Sequence, residues 1–347
     1  MIPSDPSADP VAGGVTDESV ALVSEALTPP ARPGASIFTI EGRSAPALFV
    51  VGWIATLLGL GLVVVALMGG GNAGATILLL VGLVLLSVGL IAGAGSQGIE
   101  RRVRAVLPYR GPSPFLVFAA SIPVAILAVV AVGVPLSVLG VPLDGPLGAL
   151  LSVTLQALVY VALVRLLVVD AGALDWAAMR VGRLDRGAIA AMAGGALWAL
   201  PVIALTIPVA VILQAVFPVT PVSPLPPTGE AFGFAISLLA GVVVAPFGEE
   251  ILFRAFATTA WVKGMGMRGG LVRGAFVFAF AHVLTTSGSS AGDALGLAVV
   301  GFGTRLPVAL ALGYVFLRRE TVWASFGLHA AFNGTLLIVA EVASRSI

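Results

Sequence analysis

The chain has 347 residues, 59% of them hydrophobic and only 10% charged, with a mean hydropathy of +1.09. A soluble domain of this size could not hide that much apolar surface, and the absence of Cys excludes disulfides, a thiolate nucleophile and a thiolate metal site. The net charge of +1 points to no partner, and nucleic acid is not expected as one.

Uncharged runs of about 20 residues recur, the length that crosses a hydrocarbon core. They are continuous rather than alternating, so the spans are helices and not a closed barrel. The expected fold is all-α, a polytopic integral membrane helical bundle of about nine transmembrane helices. Residues 1–45 are rich in Pro, Ser, Ala and Asp without a sustained apolar run, and read as a disordered cytoplasmic tail. The tail lacks the basic and short apolar regions of a cleaved signal peptide, so the first helix is expected to act as an uncleaved signal anchor.

The expected spans are 46–68, 75–95, 114–139, 147–169, 188–217, 232–260, 270–287, 294–317 and 322–342. Two of them, 188–217 and 232–260, are long enough to tilt, kink or run into the interface. Pro201 and Pro208 in the first and Pro246 in the second are the expected kink sites. Between the fourth and fifth spans, "LDWAAMRVGRLDR" (174–186) has apolar and basic faces and reads as an interfacial helix.

Basic residues fall on one side. Arg32, Arg43, Arg101, Arg102, Arg104, Arg110, Arg180, Arg183, Arg186, Lys263, Arg268, Arg273, Arg318 and Arg319 occupy alternate connections, while 69–74, 140–146, 218–231 and 288–293 hold none. The basic set is expected to be cytoplasmic, with the N-terminus inside. Arg165 lies near the inner end of its span and is expected to snorkel to the headgroups. High Ala, Val and Gly without Cys reads as bacterial in style, so a bacterial plasma membrane is the expected location.

The polar residues inside the spans carry the functional signal. Only Glu249 and Glu250 among the acids lie deep in a span, and both histidines, His282 and His329, are also intramembrane. Each such residue has an insertion cost of a few kcal/mol to offset, which makes it a functional-site candidate. Glu250 and Arg254 share a helix face at i and i+4, as do His329 and Asn333, and Phe278 lies one turn before His282. At about 1.5 Å per residue, His329 lies roughly 12 Å from the inner boundary, His282 roughly 14 Å from Arg273 and Glu249 roughly 20 Å from Lys263. They can therefore meet in the cytoplasmic half of the bilayer.

A buried Glu can act as general base on water, and His and Asn can donate to the oxyanion of a tetrahedral intermediate. Alternatively, Glu249, His282 and His329 could hold Zn, although the compact HExxH spacing is lacking. The plainer readings are that Glu250 and Arg254 lock two helices, that a single His or Asn is interhelical glue, and that Phe278 is packing.

"EEILFR" (EExxxR), "FAFAH" (FxxxH) and "HAAFN" (HxxxN), in this order on successive helices, resemble the CPBP intramembrane protease family, which includes the type II CAAX prenyl endopeptidases and Abi-type proteins. The resemblance covers about 170–342. It implies a protease domain over 170–347 behind four variable transmembrane helices over 46–169. It also implies that Glu249 activates a water shared with His282, that His329 and Asn333 form the oxyanion site, and that Glu250 and Arg254 orient the first helix. The family has been called metalloprotease, while its architecture also fits a metal-free glutamate mechanism, so zinc stays open. The substrate expected of such an endopeptidase is a membrane protein, a processed peptide or a lipidated peptide. The competing readings are a proton-coupled transporter built on the Glu/His cluster and a non-catalytic membrane scaffold or immunity protein. Arg305, in the middle of the eighth span, departs from the pattern; it could pair with a carboxylate or lie in a water-filled cavity.

Overall fold

The structure, a computed structural model, describes residues 43–103, 107–219, 225–284 and 286–345. The expected tail therefore lies outside the described residues except for its last three, and every element below belongs to the unit Ser44–Ile347. All elements among the described residues are helical. Helix α1 (Pro46–Met68) begins at a proline, whose missing N–H costs nothing in a first turn. It stops at Gly69, and Gly70 and Gly71 turn the chain in left-handed conformations. Asn72 then accepts from Ala75 N at 2.9 Å and starts α2 (Ala73–Val103). The two helices lie backbone to backbone. A Cβ at Gly52 would sit 2.8 Å from Gly93 N, and one at Gly82 would sit 3.0 Å from Gly59 O, so the small residues are what permit the approach.

Helices α3 (Pro114–Val138) and α4 (Pro146–Val164) follow, and α4 ends in a π-helical turn, Arg165–Val169. Arg165 is largely exposed, with Asp170 3.7 Å away, as a side chain at a span end should be. In the loop before α3, Tyr109 donates to Pro112 O at 2.9 Å and packs on Phe256. Burial pushes its hydroxyl above the ordinary tyrosine range.

The expected interfacial helix over 174–186 is not formed. Asp175 accepts from Ala178 N at 2.6 Å, Arg180 takes a left-handed φ of 61°, and Met179 is driven into the core. The Asp side chain and the left-handed residue make a compact turn out of a segment whose charges alone suggested a helix face. That turn has a task, described below.

Helices α5 (Arg186–Ala196) and α6 (Ala199–Val216) divide the expected 188–217 span. The break falls at Leu197–Trp198, just before Pro201, which sits in the first turn of α6 where a proline is tolerated; Pro208 lies inside α6.

Eight helices among the described residues are long and apolar enough to cross a membrane, against the nine spans expected. The difference lies in Ala231–Ala281, which is counted once. Its 51 residues would reach about 75 Å if straight, more than twice a hydrocarbon core. The segment is a hairpin. Gly266, with φ 75° and ψ 174°, breaks the helix, and the two arms return antiparallel. A Cβ at Gly274 would meet Thr258 Oγ1 at 2.6 Å, and one at Gly270 would collide with Val262. Each of these pairs is symmetric about Gly266. The expected spans 232–260 and 270–287 are the two arms.

Within the first arm, α7 (Ala231–Leu238), a π segment (Leu239–Val244), α8 (Ala245–Glu249) and a second π segment (Glu250–Thr258) run on into α9 (Thr259–Ala281), which contains the break. The first π segment ends just before Pro246, where a proline would otherwise orphan a carbonyl and clash with the preceding turn. In the second, Thr258 Oγ1 donates to Phe253 O, five residues back, at 2.8 Å. Helices α10 (Ala291–Arg319) and α11 (Val322–Arg345) complete the bundle.

The 174–186 turn clamps the α10–α11 corner. Arg180 Nη1 reaches Phe316 O and Leu317 O at 3.4 and 3.3 Å, a cation on the last carbonyls of α10. Val322 N donates to Arg180 O at 3.1 Å, and Trp323 Nε1 donates to Gly182 O at 3.0 Å. The start of α11, and with it the depth of His329, is fixed there.

Candidate active site

The hairpin brings the first two motifs together. Glu250 and His282 each stand sixteen positions from Gly266, and Arg254 and Phe278 each stand twelve. The antiparallel register therefore lays Arg254 against Phe278, its guanidinium carbon 3.8 Å from the ring centroid. His282 arrives at the end of the second arm, with Nε2 3.8 Å from Glu249 Oε2. Helix α11 adds the third motif. His329 Nδ1 lies 2.9 Å from Glu250 Oε1, and its Nε2 lies 3.7 Å from Glu249 Oε2.

Glu250 and Arg254 are 1% and 2% exposed, and Arg254 Nη1 is 3.5 Å from Glu250 Oε1. Two charges at that depth persist only because each has partners. Arg254 has the carboxylate on one side and the Phe278 ring on the other. Glu250 has Arg254 and His329. Phe278 itself touches both imidazoles, with ring centroids 4.5 Å from His282 and 5.7 Å from His329. It is the wall that sets both rings.

The hydrogen bonds fix what the imidazoles present. His282 Nδ1 lies 2.8 Å from Phe278 O, and a carbonyl only accepts, so that nitrogen carries a proton. The His329 Nδ1 proton faces the Glu250 carboxylate in the same way. Both rings therefore turn Nε2 toward Glu249. Glu249 Oε2 is buried and has no hydrogen-bond partner among the described residues. Separations of 3.7 and 3.8 Å from the two nitrogens are too long for direct bonds and suit a bridging water.

Asn333 is placed differently from the other three. Its Nδ2 donates to Gly241 O at 2.9 Å, across from the first π segment, whose widened turn exposes that carbonyl. One amide hydrogen remains for a ligand. Neither Gly241 nor the depth at which Asn333 meets it is readable from the sequence, because a carbonyl acceptor has no residue signature. Tyr160 was also not anticipated. It is buried on α4 with its ring edge-on to Phe253, 6.2 Å between centroids, and lies within electrostatic reach of Glu249.

Glu249, His282 and His329 have the donor chemistry of a zinc site. Their spacing is a few tenths of an ångström wider than one requires. Four donors at zinc bond lengths of about 2.0–2.1 Å would stand about 3.4 Å apart, whereas Oε2 lies 3.7 and 3.8 Å from the two nitrogens. Among the described residues no three are gathered closely enough to hold an ion.

A bundle of helices long and apolar enough to cross a membrane thus aims a carboxylate and two imidazoles at one buried point. Residues 231–335 match the family model described as type II CAAX prenyl endopeptidase Rce1-like. The matched segment contains all three motifs and supports the resemblance to the CPBP/CAAX protease family that they implied. Comparison with curated proteins and with solved structures gave no match.

Proposed function

We propose that the protein is an intramembrane endopeptidase in which Glu249 activates the attacking water. The observation that carries this reading is the orphaned Oε2 of Glu249, buried between two Nε2 atoms at 3.7 and 3.8 Å. A water there donates one hydrogen to Glu249 and the other to the lone pair of His282 Nε2. As its oxygen bonds to the substrate carbonyl carbon, Glu249 takes the proton. The oxyanion donors in this reading are His329, through an Nε2–H, and the second amide hydrogen of Asn333, both facing the carbonyl oxygen as it gains charge. The C–N bond then breaks, and the proton on Glu249 passes to the leaving amine. Glu250 and Arg254 do not touch substrate; through the Nδ1 contact of Glu250 they hold the orientation of His329.

The substrate is a membrane protein segment or a lipidated peptide, and the site opens to the cytoplasmic half of the bilayer. The test uses purified protein in lipid nanodiscs and a peptide library read by mass spectrometry. Wild type should cut, and Glu249→Gln should lower turnover by roughly 10²- to 10⁴-fold while the protein stays folded. Wild-type rates from Glu249→Gln would send the reading back to a transporter or scaffold. Cleavage is also measured after exhaustive chelation: retained turnover supports the metal-free route, and loss restored only by zinc supports the metal-bound one.

A further inference from the structure

Arg305 takes no part in the chemistry above. It sits fourteen residues from each end of α10, Ala291–Arg319, so either headgroup layer is roughly 20 Å away along the helix. An arginine side chain cannot snorkel that far. An intramembrane guanidinium needs a local partner. Among the described residues its only hydrogen bond is from Nη1 to Gly301 O on its own helix, at 3.1 Å, and it forms no ion pair. Among the described residues, four of its five N–H donors have no hydrogen-bond partner.

Its position is set by Gly301. A Cβ there would stand 3.1 Å from Val283 Cγ1 and 3.4 Å from Arg305 Nη1. The absent side chain is the space into which the guanidinium folds, and it brings the cation beside the residue that follows His282. Glu249 and His282 are both within electrostatic reach. The cation thus lies within electrostatic range of the proposed water site and, among the described residues, forms no ion pair with its carboxylate.

We propose that Arg305 is a substrate-binding residue: it receives a carboxylate of the peptide, close in sequence to the scissile bond. The inference rests on the protease reading and adds the substrate class. A planar fork with free donors suits a carboxylate, which it can grip with two parallel bonds. A lipid phosphate is too far away to serve. The carboxylate is either a free C-terminus or an Asp or Glu side chain, and such a substrate would bring into the membrane the anion that Arg305 lacks.

The experiment compares kcat/KM in nanodiscs for apolar peptides in matched forms. Each sequence is made with a C-terminal acid or amide, and with Asp or Asn a few positions from the cut. Wild type should favour carboxylate-bearing forms by roughly ten- to a hundredfold, the range for a hydrogen bond to a charged group. In Arg305→Gln that preference should collapse towards one, and Arg305→Lys should keep part of it. The arm that carries the preference identifies which carboxylate is bound. A guanidinium that only steadies Glu249 would slow all forms alike and leave the preference in place, which overturns the inference. Equal cleavage of all forms by wild type also overturns it, even if Arg305→Gln fails to fold, and leaves the protease reading standing. No cleavage of any peptide by wild type would remove both.

Discussion

Glu250 Oε1 and His329 Nδ1 meet at 2.9 Å across 79 positions of sequence, joining the first arm of the hairpin to the last helix. The same oxygen lies 3.5 Å from Arg254. One buried atom therefore serves both the fold and the proposed chemistry, and the two roles can be separated by mutation.

Glu250→Gln should destabilise the protein by about 3–5 kcal/mol, the cost of leaving one member of a buried pair uncompensated. Replacing Glu250 and Arg254 together with Leu and Met should recover much of that stability without restoring turnover. Thermal unfolding in detergent, followed beside peptide cleavage, checks both parts. A double variant that cuts at the wild-type rate would deny Glu250 any influence on His329.

Asn333→Ala removes the donor to Gly241 O. The orphaned carbonyl should cost about 1–3 kcal/mol of stability. If the remaining amide hydrogen serves the oxyanion, kcat should also fall roughly 10²-fold or more, with KM much less affected. Steady-state kinetics on folded protein decide this, and an unchanged kcat would confine Asn333 to its structural bond.

Gly266 adopts φ 75° and ψ 174°, a region that is essentially closed to other residues. Gly266→Ala should cost about 1–3 kcal/mol and lower both yield and melting temperature. Gly264→Ala is the control, since a Cβ there meets nothing within 4 Å and its backbone φ is not left-handed. Equal stability of the two variants would show that the hairpin does not depend on that bend.

The orientation proposed from basic residues places the N-terminus and the 261–269 tip in the cytoplasm. Single cysteines in this Cys-free chain test it. Cysteines at Gly71 and Gly145 should react with an impermeant thiol reagent on intact cells, and one at Gly264 should react only after lysis. The reverse pattern would invert the protein in the membrane.

The cluster was legible because lipid makes polar residues costly, so Glu249, Glu250, Arg254, His282 and His329 stood out from an apolar background. The bundle class was legible from run length for the same reason. The bend at Gly266 was not, since "KGMGMRGG" offers four glycines and nothing local marks which one turns left-handed. The 174–186 segment was misread because its charges repeat at helical spacing, while the Asp175 turn and left-handed Arg180 depend on the corner they clamp. Asn333 was recognised as a polar partner of His329, but its hold on Gly241 required the π segment that exposes that carbonyl. The spacing that leaves Glu249 open between two imidazoles is likewise a property of three packed helices, and no single one of them encodes it.

The hairpin also determines which changes in chain length the protein can absorb. His282 arrives beside Glu249 because Glu250, the next residue, and His282 stand at equal distances in sequence from Gly266. One residue inserted into the second arm would rotate His282 by about 100° and carry it about 1.5 Å along the helix, away from the carboxylate. The same residue inserted at the tip would lengthen a turn and leave both arms in register. Insertions and deletions should therefore be tolerated at 264–267 and rejected between there and either end of the pair, which makes the tip the place to attach a tag or a crystallisation partner.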